Sequence, residues 1–196
     1  MAGLKRAFPS YNLGMMEKKS TSHVHRTSNL DFRLMAFEFR LRDLFRPRKE
    51  VLREVGLRAG FRVLDYGCGP GSYVAIAAGL VGDQGKVYAL DAHPLAIRMV
   101  ENLKARRHLR NVDTILSDRE TALPDGSLDV VLLYDILHDL GDPAGVMGEL
   151  QRVLKPDGVL SVSDHHLEED EIVAKVTGDG IFKLLRKGAR TLTFGK

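Results

Sequence analysis

Three glycines at alternate positions follow a short apolar run and an acid in the segment Arg62–Gly71. Asp65 lies two residues ahead of the first glycine, and the glycines are Gly67, Gly69 and Gly71. Because glycine has no Cβ and tolerates positive φ, this backbone can turn tightly and pass close to a ligand, with its N–H groups available. The segment therefore predicts a strand, a glycine loop and a helix N-terminus that together bind a cofactor.

The glycine spacing also restricts the cofactor. Dinucleotide-binding folds use G-x-G-x-x-G, and phosphate-binding P-loops need a lysine followed by serine or threonine. The segment instead has G-x-G-x-G and no such lysine. An acid followed by alternating glycines resembles the first motif of the class I S-adenosylmethionine-dependent methyltransferases. The resemblance covers residues 47–165 well and implies that the chain binds S-adenosylmethionine and releases S-adenosylhomocysteine.

Strand-like and helix-like patterns alternate from residue 49 onward, which is typical of a parallel sheet with helices on both faces. Together with the resemblance, they predict an α/β fold: a doubly wound, Rossmann-like, mostly parallel sheet of seven strands with a C-terminal antiparallel hairpin. The predicted helices are Lys49–Gly56, Ser72–Leu80, Pro94–Arg106 and Ala144–Leu154, and the predicted strands are Arg62–Tyr66, Lys86–Asp91, Val112–Ser117, Leu128–Tyr134, Gly158–Asp164, Ile181–Arg186 and Arg190–Phe194.

The charge distribution indicates a basic N-terminal extension, residues 1–46, and the resemblance implies that residues 47–196 form a methyltransferase domain. Residues 1–58 carry 13 Lys and Arg against 6 Asp and Glu, whereas the rest carries 16 against 20. Apolar spacing between Leu30 and Phe45 predicts an amphipathic helix that ends before Pro47. The basic residues either attract an anionic partner or form a solvated helix face, and the segment His23–Arg26 is interpreted as part of a lid over the site. Since aromatic residues are not interleaved with the basic ones, we do not predict a nucleic-acid site.

Acids at the ends of predicted strands are the main candidates for cofactor binding, because ligands of open α/β sheets lie beyond the carboxyl ends of the strands. Asp91 ends the second strand, 26 residues after Asp65, and its carboxylate can accept hydrogen bonds from both ribose hydroxyls. Its alternative role is an N-cap of the next helix. The resemblance implies that Asp65 helps to position the methionine part and that Asp118 faces the adenine amine.

Further residues complete the predicted cofactor site. Arg119 either flanks the adenine ring or points to solvent, and Ala92 covers the other face of the ring. Tyr134 lines the methionine pocket or shares the catalytic position. Cys68 contributes its backbone rather than its thiol. The loop residues in this prediction are Gly67, Cys68, Gly69 and Gly71.

Methyl transfer from an activated sulfonium needs an in-line nucleophile, exclusion of water and, for a hydroxyl or acidic carbon, removal of a proton. His138 is the first candidate for the base, because imidazole titrates near neutrality and the segment after the fourth strand borders the methyl site. Asp135 shares that position. The alternative for His138 is a helix histidine that faces solvent.

Two later segments narrow the resemblance to small-molecule methyltransferases of the ubiquinone and menaquinone biosynthesis type. They are Tyr134–Leu140 and Glu149–Gly158. The resemblance implies O- or C-methylation of a small molecule, such as a quinone-precursor carbon or a phenolic oxygen. Two alternatives stay open: a cofactor-binding sensor or partner subunit without turnover, and an RNA methyltransferase that uses the basic extension.

No metal is predicted, although two histidine pairs leave a divalent-metal site as an alternative. Cys68 is the only cysteine, so an intrachain disulfide is excluded. No apolar run approaches the roughly 18 residues of a membrane span, and no signal sequence is evident. We therefore expect a cytoplasmic monomer or homodimer. The residues of the alternative metal site are His23, His25, Asp135, Asp164, His165 and His166.

Overall fold

The computed structural model describes residues 48–196. The predicted helix between Leu30 and Phe45 lies outside the described residues. The predicted domain boundary at residue 47 stays a prediction for the same reason.

Helices and strands alternate along the described chain as the sequence patterns predict. A short 3₁₀ turn, Leu137–Asp139, follows the fourth strand. The helices are α1 (Arg48–Val55), α2 (Val74–Val81), α3 (Pro94–Arg107), α4 (Pro143–Val153) and α5 (Glu169–Thr177), and the strands are β1 (Arg62–Tyr66), β2 (Lys86–Asp91), β3 (Val112–Leu116), β4 (Leu128–Tyr134), β5 (Leu154–Ser163), β6 (Lys183–Lys187) and β7 (Leu192–Gly195).

The strands form one seven-stranded sheet in the order β3-β2-β1-β4-β5-β7-β6. Strands β1 to β5 are parallel to their neighbours among these five, whereas β7 pairs antiparallel with both β5 and β6. The chain runs outward from β1 through β2 to β3 and then returns to the other side of β1 with β4. The winding therefore reverses between β1 and β4, and a ligand of an open α/β sheet binds outside this point.

The central strands are nearly continuous apolar runs, because helices cover both faces of the sheet. Successive side chains alternate between two core clusters. Helices α1 and α2 pack on one face and α4 and α5 on the other. Strand residues of the first cluster include Val63, Val87, Ala89, Val130 and Leu132, and those of the second include Leu64, Leu90, Val131 and Leu133.

The predicted fold class is confirmed, including the antiparallel C-terminal pair of strands. The sequence analysis missed helix α5. Only Ile172 and Val176 are buried on this nine-residue helix, so its apolar periodicity is too short to stand out. Glu168 and Glu171 form a capping box at its N-terminus. Within residues 48–196, no helix combines the length and the apolar character that a bilayer span requires.

Candidate active site

The glycine loop turns sharply between β1 and α2, at the carboxyl end of β1. The N–H groups of Gly67 and Cys68 both donate to the Leu90 carbonyl at 2.9 Å, which ties the loop to the end of β2. The N–H of Gly71 closes the turn on the Cys68 carbonyl at 3.0 Å. All three glycines of the motif have positive φ, between 52° and 83°.

The three glycines serve different purposes. A Cβ on Gly67 would lie 2.9 Å from Cγ1 of Ile136, and one on Gly71 would lie 3.0 Å from Cγ2 of Val100. A Cβ on Gly69 would meet nothing within 4 Å among residues 48–196. Gly67 and Gly71 thus permit close packing against the protein, whereas Gly69 borders open space at the ends of the strands.

Asp91 connects the glycine loop to the start of α3. Its Oδ2 accepts the N–H of Gly69 at 2.9 Å, and its Oδ1 accepts the N–H of His93 at 2.8 Å. Burial raises the pKa of this carboxyl, while the two N–H donors oppose the shift. Each oxygen of an ionised carboxylate keeps a second acceptor site. The carboxylate can therefore hold the loop and still accept hydrogen bonds from a ligand.

Asp65 is a buried acid in β1 whose Oδ2 has no hydrogen-bond partner in the described structure. Its residue surface is only 3% exposed. Burial raises the pKa of this carboxyl to about 7, opposed by the positive charge of Arg48 and reinforced by the negative charge of Asp91. Arg48 begins α1, is buried, and lies with its guanidinium carbon 4.8 Å from the ring centre of Tyr73. The sequence analysis did not identify Arg48 as part of the site.

The other predicted cofactor contacts lie at the exposed rim beyond β2 and β3. Ala92, Asp118 and Arg119 are all exposed. The Tyr66 hydroxyl donates to the Asp118 carbonyl at 3.2 Å, which fixes the backbone of the β3–β4 loop. Arg119 pairs with Asp142 at 3.1 Å, so its guanidinium spans from this loop to the start of α4.

Glu149 on α4 anchors the same loop from beneath. Its Oε1 accepts hydrogen bonds from the N–H and the hydroxyl of Thr121, at 2.8 and 2.6 Å. Arg152 donates to both Glu149 oxygens at 2.8 Å, and these bonds, with those from Thr121, lower the pKa of Glu149 to about 2. The network fixes the loop that carries Asp118 and Arg119.

Tyr134 and Cys68 are both buried under the site. The Tyr134 hydroxyl shares a 2.8 Å hydrogen bond with Ser161, and its ring packs edge-on against Tyr73 at 4.9 Å. This arrangement suits a wall of the pocket better than a proton acceptor, since burial raises the pKa of the phenol. Burial likewise raises the pKa of the Cys68 thiol, which disfavours its reactive thiolate form.

The ends of β4 and β5 bring two acids and three histidines together, and we call these residues the Asp–His cluster. Nδ1 of His138 lies 2.9 Å from Oδ2 of Asp164, and Nδ1 of His165 lies 2.7 Å from Oδ1 of Asp135. The His166 ring packs against both other rings, at 4.2 and 3.8 Å between centres. Each strand end thus supplies the carboxylate that holds the other strand's imidazole.

Asp135 has a φ of 54°, which is unusual for a residue with a side chain. Its N–H donates to the Ser163 carbonyl at 2.8 Å, and its carboxylate also accepts the His165 N–H at 3.2 Å. These bonds hold the strained turn. Because His165 occupies the carboxylate, Asp135 is better suited to orienting that ring than to accepting a proton from an acceptor.

Three groups of the cluster have ligand atoms within 4.8 Å of one another: Asp135, Asp164 and His165. Oxygen and imidazole ligands in this number suit a divalent cation. In the described structure, Nδ1 of His138 faces the Asp164 carboxylate and Nδ1 of His165 faces the Asp135 carboxylate. The predicted absence of a metal stays a prediction.

The residues present fit S-adenosylmethionine. The unpaired Oδ2 of Asp65 is a buried acceptor, which matches the ammonium group of the methionine end. Among the described residues, the space where a Gly69 side chain would lie is open, and it borders the end of β1, the strand of Asp65. The Asp91 carboxylate, which binds the loop, can still accept hydrogen bonds from a ligand. The individual contacts of the predicted site residues remain predictions.

Comparisons with known proteins agree with this fold. The methyltransferase domain family matches residues 57–187. A demethylmenaquinone methyltransferase of Geobacillus stearothermophilus is 34% identical over 113 residues, which are 57% of this chain and 48% of that protein. A ubiquinone/menaquinone biosynthesis C-methyltransferase of Shewanella oneidensis is 30% identical over 148 residues, 74% of this chain and 59% of that protein. The matches therefore span about half to three fifths of these relatives.

The crystal structure of an S-adenosylmethionine-dependent methyltransferase from Aquifex aeolicus superposes with a TM-score of 0.68 at 27% identity. It covers 76% of this chain and 87% of that structure. These findings confirm the resemblance, the fold and the cofactor predicted from the glycine motif. The chain therefore belongs to the methyltransferase domain family, within the S-adenosylmethionine-dependent methyltransferases of this fold.

Proposed function

We propose that this protein transfers a methyl group from S-adenosylmethionine to a carbon or oxygen of a small hydroxyaromatic acceptor. The observation that carries the proposal is the Asp–His cluster, which supplies an oriented imidazole at the strand ends next to the glycine loop. The similarity to quinone-pathway methyltransferases supports the same acceptor class.

When bound, the cofactor supplies an activated sulfonium methyl group. Asp91 would hold the ribose hydroxyls and Asp65 the ammonium group. Arg48, beside Asp65, is suited to the carboxylate of the methionine end. The exposed rim with Ala92, Asp118 and Arg119 would surround the adenine.

The chain's remaining task is to remove a proton from the acceptor. A phenol is a poor nucleophile until it loses its proton, and the ring carbon of a hydroquinone gains electron density by the same step. His138 is the group proposed to accept this proton, since its side chain is partly exposed, at 31%, and its Nδ1 is held by Asp164. General-base catalysis of this type contributes about 10²- to 10⁴-fold in rate.

A single acceptor probe tests both the activity and the site of methylation. We would incubate the protein with S-adenosylmethionine and 1,4-dihydroxynaphthalene under anaerobic conditions, because this probe offers a phenolic oxygen and an adjacent ring carbon. Mass spectrometry and NMR of the product distinguish the methyl ether from the C-methyl isomer. Calorimetric titration with S-adenosylhomocysteine measures cofactor binding independently.

His138→Gln is expected to lower kcat by roughly 10²-fold or more while the affinity for S-adenosylhomocysteine stays unchanged. The matched control is His108→Asn, an exposed histidine at the end of α3 whose positive φ asparagine tolerates. Cofactor binding without methylation across a panel of phenols and hydroquinones would contradict the proposed activity and favour a sensor or partner subunit. Salt-dependent binding and methylation of RNA would favour the RNA alternative.

A further inference from the structure

Asp164, which directly follows β5, is a buried carboxylate with a defined set of donors. Its side chain is 0% exposed. The backbone N–H of His138 donates to Oδ2 at 3.1 Å, and the backbone N–H of His166 donates to Oδ1 at 3.0 Å. Nδ1 of the His138 ring lies 2.9 Å from Oδ2 and 3.1 Å from Oδ1. Backbone and side chain of His138 thus approach one carboxylate together.

This contact determines where the imidazole carries its hydrogen. An ionised carboxylate only accepts hydrogen bonds, whereas a neutral imidazole has one N–H and one nitrogen with a lone pair. If Nδ1 lacked the hydrogen, its lone pair would face two carboxylate oxygens. Nδ1 must therefore donate, which leaves the lone pair on Nε2. Because the ring is 31% exposed while Asp164 is fully buried, the opposite edge of the ring is the accessible one.

We propose that Asp164 is a positioning residue that fixes the Nδ1–H tautomer of His138 and so makes Nε2 the proton acceptor in methyl transfer. This role rests on the proposed function. In the reaction, the acceptor O–H proton moves to Nε2 as the acceptor's electron pair forms the bond to the methyl carbon. The S–C bond breaks and its electron pair stays on sulfur, which leaves a neutral thioether. The proton then passes from Nε2 to solvent.

Asp164 has a second effect on this step. When Nε2 takes the proton, the ring becomes an imidazolium, and a carboxylate at 2.9 Å from Nδ1 stabilises that charge. The His166 ring, packed 4.2 Å from His138, restricts rotation of the imidazole. Tautomer, orientation and charge are therefore all set by residues that follow β5.

The tautomer is tested without any assay of activity. The ring nitrogens of ¹⁵N-histidine-labelled protein are observed by NMR at a pH where the imidazole is neutral, and His138→Gln assigns its signals by difference. We expect a protonated Nδ1 and an unprotonated Nε2 in the unsubstituted protein. A protonated Nε2 on His138 would overturn the proposal.

Asp164→Asn tests the cause. The amide is nearly isosteric and keeps a carbonyl acceptor, but its NH₂ group can donate to Nδ1, so the hydrogen is expected to shift to Nε2. With 1,4-dihydroxynaphthalene as the probe, kcat should fall by roughly 10²-fold or more, with KM for S-adenosylmethionine unchanged. A variant that keeps the original tautomer or the original kcat would overturn the role of Asp164.

Asp139→Asn is the matched control, since it removes the same charge from an exposed residue next to His138. It should leave both the NMR signals and kcat unchanged. The outcomes also separate this proposal from the proposed function. An active protein whose Asp164→Asn variant is equally active refutes only the positioning role. Folded protein that shows the Nδ1–H tautomer but methylates no phenol or hydroquinone refutes the reaction and the catalytic role with it.

Discussion

At the scale of single residues, two backbone N–H groups hold the Asp91 carboxylate, although the N-cap of the next helix is His93 and not Asp91. Asp91 accepts the N–H of His93, two residues ahead, as a residue near a helix start does, and it also accepts the N–H of Gly69 from the loop. The carboxylate is thus held in place before any ligand arrives. A preorganised acceptor of this kind reduces the cost of ordering on binding.

Asp91→Ala is expected to weaken binding of S-adenosylhomocysteine by about 1.5–3 kcal/mol, or roughly 10- to 100-fold in Kd, because charge-assisted hydrogen bonds are lost. Calorimetric titration measures the change. Asp113→Ala is the control, since that acid on β3 is 53% exposed and pairs with Lys86 at the surface. Equal affinities of Asp91→Ala and the unsubstituted protein would remove Asp91 from the site.

Asp65 gives a pH-dependent prediction. Its folded-state pKa of about 7 lies above the ordinary value of 3.8, so the folded state binds more protons than the unfolded state between these values. The stability from this group is complete below pH 3.8 and is lost as pH rises through 7. Asp65→Asn has no such loss. Urea unfolding at pH 5 and pH 8 should show the variant gaining roughly 2–3 kcal/mol relative to the unsubstituted protein at the higher pH.

At each pH, the difference between the unfolding free energies of the two proteins cancels the titration of all other groups. The comparison is therefore specific to Asp65. A difference in unfolding free energy that is the same at pH 5 and pH 8 would rule out the raised pKa. The same substitution should weaken cofactor binding, because an amide cannot offer a charged acceptor to an ammonium group.

The sequence predicted the position of the glycine loop and its two acids more fully than the arrangement of the Asp–His cluster. Asp65 and Asp91 follow a local rule, since each stands at a strand end near the glycine loop. The pairing of His138 with Asp164 depends on how the ends of β4 and β5 align in space. His138 and Asp164 are 26 residues apart, and their spacing in the sequence does not show that the two strand ends are aligned. Arg48 was missed for a similar reason, because its contact with Tyr73 joins α1 to the residue before α2, 25 positions along the chain.

At the scale of elements, two glycines of the glycine loop are expected to affect different properties: Gly67 the stability of the fold and Gly69 the binding of the ligand. The Cβ of an alanine at Gly67 would clash with Ile136, whereas one at Gly69 would enter open space. Both positions have positive φ, so either alanine carries a backbone penalty of about 1–2 kcal/mol. The two positions differ only in what surrounds them.

Gly67→Ala is expected to lower the free energy of unfolding by more than Gly69→Ala, because the clash adds to the backbone strain. Gly69→Ala should lower the free energy of unfolding only by the backbone penalty. It should weaken the affinity for S-adenosylhomocysteine by tenfold or more, since its methyl group occupies the space left for the ligand. Urea unfolding and calorimetry of both variants measure the two effects. If Gly69→Ala bound the ligand normally, the open space beside it would not be the cofactor site.

The strands were predictable from the sequence where helices bury them on both faces of the sheet. After Asp129, strand β4 reads as an apolar run, because helices cover both of its faces. The start of β5 was placed four residues late, because Lys155, Pro156 and Asp157 look like a turn although the strand begins at Leu154. Tertiary pairing with Leu128 overrides the local turn signal there.

At the scale of the whole molecule, the domain boundary at residue 47 can be tested directly. Both large core clusters are built from residues between Val51 and Phe194 in the described structure. We therefore expect a fragment of residues 47–196 to unfold cooperatively and to bind S-adenosylhomocysteine. At a ligand concentration 100 times Kd, its free energy of unfolding should rise by about 2.7 kcal/mol.

Circular dichroism melts with and without the ligand measure that shift, and the full chain is the reference. A fragment that melts without cooperativity would show that residues 1–46 belong to the folding unit. A cooperative fragment that fails to bind would assign those residues to the cofactor site instead.

Strand β7 follows β6 in the chain, yet it lies between β5 and β6 in the sheet. While the polypeptide is being synthesised, β5 therefore keeps an unpaired edge until residues 192–195 have been made. Strand β6 cannot protect that edge, since it pairs only with β7. Open strand edges template association with other chains. Nascent chains that stall after β6 are thus the form of this protein most exposed to aggregation, and completion of β7 closes the edge of β5 and positions β6 in one event.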